Sequence, residues 1–138
     1  MVMNAINTAL YNALTGGTLG TAVTALAGSR IYLINAPSGS IPPYVIFAFQ
    51  GGGEVHPSDL DEVNVVYRVE GIGMTNAQAA ALDDAIRATL HKKELSVSGW
   101  NSTDVVRREG FWQLLQQMAG QQVYRYGALY RIRLDKQT

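Results

Sequence analysis

Tyr124-Arg125-Tyr126-Gly127-Ala128-Leu129-Tyr130-Arg131-Ile132-Arg133-Leu134 is the stretch that decides the fold class of this 138-residue chain. Tyr124, Tyr126, Ala128, Tyr130, Ile132 and Leu134 fall on one side of a two-residue period. Arg125, Gly127, Leu129, Arg131 and Arg133 fall on the other. Successive strand side chains point to opposite faces of a sheet. The pattern therefore predicts a long antiparallel strand with an apolar inner face and an arginine-bearing outer face.

Working back along the chain, the same period recurs over Glu62–Ile72, where Val63, Val65, Tyr67 and Val69 alternate with Asn64, Val66, Arg68 and Glu70. Tyr44–Phe49 is a run of β-branched and aromatic residues with one alanine, which fits a strand buried on both faces. Arg30–Ile34 predicts a short strand, and the Pro37, Pro42 and Pro43 stretch after it excludes a helix. Leu95–Val97 and Thr103–Arg108 are expected to be further short strands, the second ending at Arg107 and Arg108. Gly110–Gly120 fits a helix turn through Phe111, Leu114, Leu115 and Met118, or a strand through Trp112, Leu114 and Gln116; a strand broken at Gly120 is preferred.

Three segments carry helical spacing. Ile6, Ala9, Leu10, Ala13 and Leu14 form an apolar stripe over Asn4–Leu14, stopped by Gly16 and Gly17. Thr18–Leu26 predicts a second short helix with Val23 and Leu26 inward, Leu19 beside them and Gly28 as terminator. Thr75 or Asn76 can cap a third, in which Ala79, Leu82, Ile86 and Leu90 face the core. Asp83 and Arg87 lie off that stripe as an i,i+4 pair on an exposed face. The order helix, helix, strand, strand, strand, helix, strands predicts one α+β domain over residues 1–138, an antiparallel β-sheet with two or three helices packed on one face.

Composition narrows function. Eleven Lys and Arg balance eleven Asp and Glu, so no long-range field draws the chain to nucleic acid or anionic membrane, and copies repel one another weakly. No cysteine is present, which removes disulfides, thiolate metal sites and a cysteine nucleophile. Met1–Leu14 lacks the basic and continuous apolar regions of a signal peptide. No apolar stretch approaches the roughly 20 residues of a membrane span. A soluble product made in the cytosol is the expectation.

The residues offer little chemistry. His56, near Glu54 and Asp59, is accounted for by a solvated loop rather than a cation site. His91, ahead of Lys92 and Lys93, fits a cation at a helix C-terminus. Gly51-Gly52-Gly53 is followed by Glu54, not by the Lys and Ser/Thr of a phosphate-binding loop. The glycines instead give freedom to a loop over Gln50–Asp61. No nucleophile elbow occurs, and the Asp59, Asp61, Glu62 and Asp83, Asp84 groups fit solvated surfaces better than a shared catalytic site. No catalytic residue, cofactor or metal site is expected. The arginines are the residues with functional promise. Arg107, Arg125, Arg131 and Arg133 are candidates for an assembly interface, since Arg and Tyr are enriched in protein interfaces. The Gly51, Gly52, Gly53, Glu54, His56 and Asp59 stretch is a candidate docking loop.

An ordered series of short motifs resembles the tail terminator (tail completion) proteins of long-tailed bacteriophages and prophages. It runs from Arg30-Ile31-Tyr32 through Ala36-Pro37 and Pro43-Tyr44-Val45-Ile46-Phe47 to the strand Asn64–Ile72. Ala77–His91, an alanine-rich helix, and Leu95–Val97 follow, and Tyr130-Arg131-Ile132-Arg133-Leu134 closes it. The glycine-rich Gln50–Asp61 loop and a longer Gly110–Gln122 segment depart from that pattern. The resemblance covers nearly the whole chain. It implies a virion protein of the tail–neck region, assembled in the bacterial cytoplasm as a homo-oligomeric ring of six subunits. Its partners would be the tail tube protein and a head-side neck or connector protein. It implies no membrane and no specific nucleic acid, although DNA would pass through the lumen. A neck or head–tail adaptor, or a minor tail protein, is the alternative, with a nucleic-acid-binding module behind it.

Overall fold

The structure is a computed structural model that describes residues 2–54, 62–118 and 120–136. Two helices, α1 (Val2–Thr15) and α2 (Gly17–Ala27), precede the strands β1 (Ile31–Leu33), β2 (Tyr44–Glu54) and β3 (Glu62–Gly73). Helix α3 (Asn76–Leu90) follows, then β4 (Trp100–Ser102), β5 (Arg107–Met118) and β6 (Gln121–Lys136). One six-stranded sheet has the order β1-β2-β3-β6-β4, with β5 beside β6 next to β4. The expected α+β class with helices on one face holds. The sheet is mixed rather than wholly antiparallel, because β1 runs parallel to β2.

The alternation that defines β6 fixes where the core sits. Tyr130, Ile132 and Leu134 are buried beneath the helices, joined by Val63, Val65, Tyr67 and Val69 of β3. From the helix layer come Ile6, Leu10 and Leu14 of α1, and Leu82, Ile86 and Leu90 of α3. Each such side chain contributes roughly 1.5–3 kcal/mol by leaving water. Thr75 starts α3 by accepting a hydrogen bond from the Gln78 amide, while the Gln78 side chain accepts from the Met74 amide, a reciprocal cap. Gly71 meets α3 where only hydrogen fits, since a Cβ there would lie 2.5 Å from that of Leu82.

Several expectations are corrected. Leu26 is exposed, and Ala27 turns inward beside Val23 instead. Leu19 lies outside the described side chains. Leu95 and Val97 are buried, but Leu95–Val97 is not a strand. Its polar groups are met from elsewhere, as when Ser102 donates its hydroxyl to the Leu95 carbonyl. Thr103–Val106 is irregular, so Arg107 and Arg108 begin β5 rather than end a strand. Asp83 is not on a solvated face. Arg108 reaches it at 2.7 Å, across the gap from β5 to α3, and takes the place expected for Arg87. His91 Nδ1 accepts the Arg108 amide. Desolvation first, then the Lys92, Arg87, Arg108 and Arg107 charges, lowers its pKa, so it is a neutral acceptor and not a capping cation.

Candidate functional site

The sheet face away from the helices divides into two zones. At the Tyr44 end it is covered by the chain before β2: Tyr44, Ile46, Ile72 and Val123 are buried against Tyr32 and Ala36. The rest is open and carries the arginines. Register explains their arrangement. Glu70, Gly127 and Trp112 lie side by side across β3, β6 and β5. Gly127 has no side chain, and a Cβ there would stand 2.8 Å from Glu70 Cγ. The Trp112 indole therefore reaches over it to donate to Glu70 at 3.2 Å. Arg125, one strand over, donates to both Glu70 oxygens at 2.7 and 3.2 Å, and to Gln116 at 2.8 Å. Arg68 adds a longer ion pair at 3.8 Å. Glu70 is only 2% exposed, a buried charge held by a bidentate partner and an indole, as burial demands. These groups border a shallow depression of about 390 Å³ with Gln50, Leu114 and Leu129.

At the other end of the same face, Arg131 sits between Val66 and Arg107. It donates to Glu109 at 3.0 Å and to Asn64 at 2.8 Å. Arg107 contacts Asp104 at 3.2 Å, and that side-chain hydrogen bond, ahead of the Val105 amide, lowers the Asp104 pKa. Arg133 is exposed on the same rim, within Coulombic reach of Asp104. The structure thus gathers Arg107, Arg131 and Arg133 and leaves Arg125 farther along β6. Each of Arg107, Arg125 and Arg131 holds an acid of its own chain.

The glycine segment is corrected. Gly51–Glu54 is not loop but the end of β2, with Gly51, Gly52, Gly53 and Glu54 opposite Val66, Val65, Asn64 and Val63. A bulge between Phe49 and Gly51 shifts the register. Gly52 has φ +107°, and a Cβ there would lie 2.2 Å from the Asn64 carbonyl oxygen. It is therefore a structural requirement rather than a source of freedom. Gly51 faces open space. His56 and Asp59 lie outside the described residues.

Two features escaped sequence reasoning. The first is the free edge of β5. From Phe111 to Met118 the strand reads Phe-Trp-Gln-Leu-Leu-Gln-Gln-Met, with no charge and no proline, and no described strand lies on its outer side. Phe111, Leu114 and Leu115 are 76%, 53% and 58% exposed. The second is β2. Strand β1 pairs it only over Val45–Phe47, so Ala48–Glu54 also has no described strand on its outer side. The signal for the first was present: apolar residues on both faces of a strand that has one neighbour.

Among the described residues no helix is long and apolar enough to cross a membrane, and no group of three His, Asp or Glu is placed to hold a metal. No family model matches the chain, and no curated protein matches its sequence. Among solved structures, one matching chain covers 96% of this chain and 96% of its own length at 12% identity and a TM-score of 0.57. Another, from the virion of a native gene transfer agent particle, covers 97% of both at 19% identity and a TM-score of 0.69. At these identities the likeness is one of fold: the chain shares, nearly end to end, the α+β architecture of a protein found in a gene transfer agent virion.

Proposed function

We propose that this protein is a non-enzymatic structural subunit of a phage-type virion, a ring-forming cap at the head-proximal end of the tail tube. Six copies close the ring, one rim meets the tail tube protein, and the other presents a joining surface to a head-side neck protein. The observation that carries this reading is the end-to-end fold likeness to a virion chain. The ordered tail-terminator-like motifs point the same way. So does the character of the surface: the uncharged Phe111–Met118 edge and exposed apolar side chains suit assembly, and no described cluster of groups suits catalysis.

A nucleic-acid-binding role is disfavoured by the same geometry. Phosphate contact needs cations free to replace counterions, whereas Arg125, Arg131 and Arg107 are engaged by Glu70, Glu109 and Asp104. Light scattering coupled to size exclusion tests assembly. The expected mass is six times the 15.0 kDa chain, alone or once tube protein is added. A species that stays at one chain mass under both conditions contradicts the ring.

A further inference from the structure

We infer that copies of this chain join edge to edge, the free edge of β5 in one copy pairing antiparallel with the free Ala48–Glu54 edge of β2 in the next. The inference rests on the assembly reading above and names the surfaces that reading leaves open.

Three observations select a second copy as the occupant. First, the Phe111–Met118 part of β5 is an unguarded edge among the described residues. Natural edges are blunted with lysine, proline, bulges, inward charge or extreme shortness; Phe111–Met118 has none of these, the bulge of β5 lying before it at Gly110. Its exposed Phe111, Leu114 and Leu115 amount to on the order of 350 Å² of apolar surface, given the 150–250 Å² that one aromatic side chain can bury. That is under half of the roughly 800 Å² each partner buries in a standard interface, so the paired backbone and the flanking glutamines must supply the rest.

Second, the chain itself offers the matching edge. Strands β2, β3, β6 and β5 alternate in direction, so β2 and β5 point opposite ways. Laying one against the other continues the antiparallel alternation without a break. The contact uses two different patches and is therefore heterologous, the kind that generates rings.

Third, setting Leu114 of one copy opposite Gly51 of the next gives a stagger that fits closure. Leu114 registers through Arg125 to Ile72, while Gly51 registers to Val66, six residues away on β3. Six residues span about 20 Å, and the four strands each copy adds are about 19 Å wide. The resulting slope of about 45° is the strand tilt of closed barrels. With the helices outside, the arginine face would line the lumen.

The chain has no cysteine, which makes the test clean. Gly51→Cys adds a side chain where space is open, and Leu114→Cys and Gln116→Cys alter exposed positions on the same face. Within one chain β2 and β5 stand three strand spacings apart, about 14 Å, too far for a disulfide. Mixing Gly51→Cys protein with either β5 variant under mild oxidation should give a mixed disulfide dimer, and the double variant should give a ladder ending at the ring. Homodimers of either single variant without the mixed species would overturn the pairing, as would no cross-link at all. A ring-sized mass with no mixed disulfide would reject the pairing while leaving the ring standing.

A second variant removes dependence on the cross-link. Met118 and Gln121 close the β5–β6 connection as a pair, so alternation puts the Gln113 amide on the outer edge. Gln113→Pro should keep the thermal midpoint of the monomer and abolish assembly. Unchanged assembly would count against the inference.

Discussion

Replacing Gly52 with alanine places a methyl group 2.2 Å from the Asn64 carbonyl oxygen and 2.7 Å from Val65 Cα, on a backbone with φ +107°. Both obstacles are main-chain atoms of β3, so no rotamer change relieves them. A non-glycine residue in such a region costs about 1–3 kcal/mol, and overpacking adds about 1–3 kcal/mol. A loss of about 3 kcal/mol is the conservative sum. Gly51→Ala makes the control, one residue away with nothing within 4 Å. It should change stability by no more than about 0.5–1 kcal/mol, with any gain coming from a less free unfolded chain. Urea unfolding followed by tryptophan fluorescence separates them. With a slope of about 2 kcal/mol per molar, the Gly52→Ala midpoint should fall by about 1.5 M while that of Gly51→Ala moves by no more than about 0.5 M. Equal midpoints for the two would refute the pairing of Gly52 against Asn64, and with it the assignment of this segment to strand.

Three further outcomes follow from the described contacts. Arg125→Ala leaves the Glu70 carboxylate buried with only Trp112 and a distant Arg68, and should cost about 3 kcal/mol; Glu70→Leu added to Arg125→Met should recover most of it, measured by the same unfolding assay. Because the folded state lowers the His91 pKa from 6.5, the unfolded chain takes up the proton first as pH falls. Stability should decline below about pH 6.5 until the folded-state pKa is passed, and His91→Gln should flatten that limb in a pH series of melts. Tyr67 donates to Asn7 Oδ1 at 2.6 Å, and burial pushes its pKa up to about 12. Tyr67→Phe should cost about 1 kcal/mol at neutral pH and soften the loss of stability as pH rises from about 10 to 12, read by circular dichroism.

What could be read from the sequence, and what could not, follows the range of the forces involved. Strands β3 and β6 and helix α3 announce themselves because each buries one face, so the period of their apolar residues is the period of the backbone. The arginine face was legible for the same reason: Arg125, Arg131 and Arg133 must lie opposite Tyr130 and Ile132. Gly51–Glu54 was not, because glycine has no strand preference of its own. The pairing is imposed by Val63–Val66 across the sheet, a partner that local pattern does not reveal. The Arg108–Asp83 bridge and the Arg108–His91 hydrogen bond join β5 to α3, and spacing along the chain says nothing about such contacts. Leu95 and Val97 show the converse error, in which buried apolar residues alternate without forming a strand: the contacts they make to β4 are a side-chain hydrogen bond from Ser102 and a turn at Trp100, not a ladder. That β5 and the end of β2 have no described strand on their outer sides became visible only with the strand order, although the apolar residues on both faces of Phe111–Met118 stood in the sequence.

The central claim is that this subunit ends a tail tube. Deleting its gene from the genome that encodes it, and measuring tail lengths in the electron microscope, tests that most directly. Overlong tails of irregular length, unattached to heads, are the predicted result. Free heads beside tails of normal length would move the subunit to a neck adaptor, and tails of normal length joined to heads would contradict the claim outright.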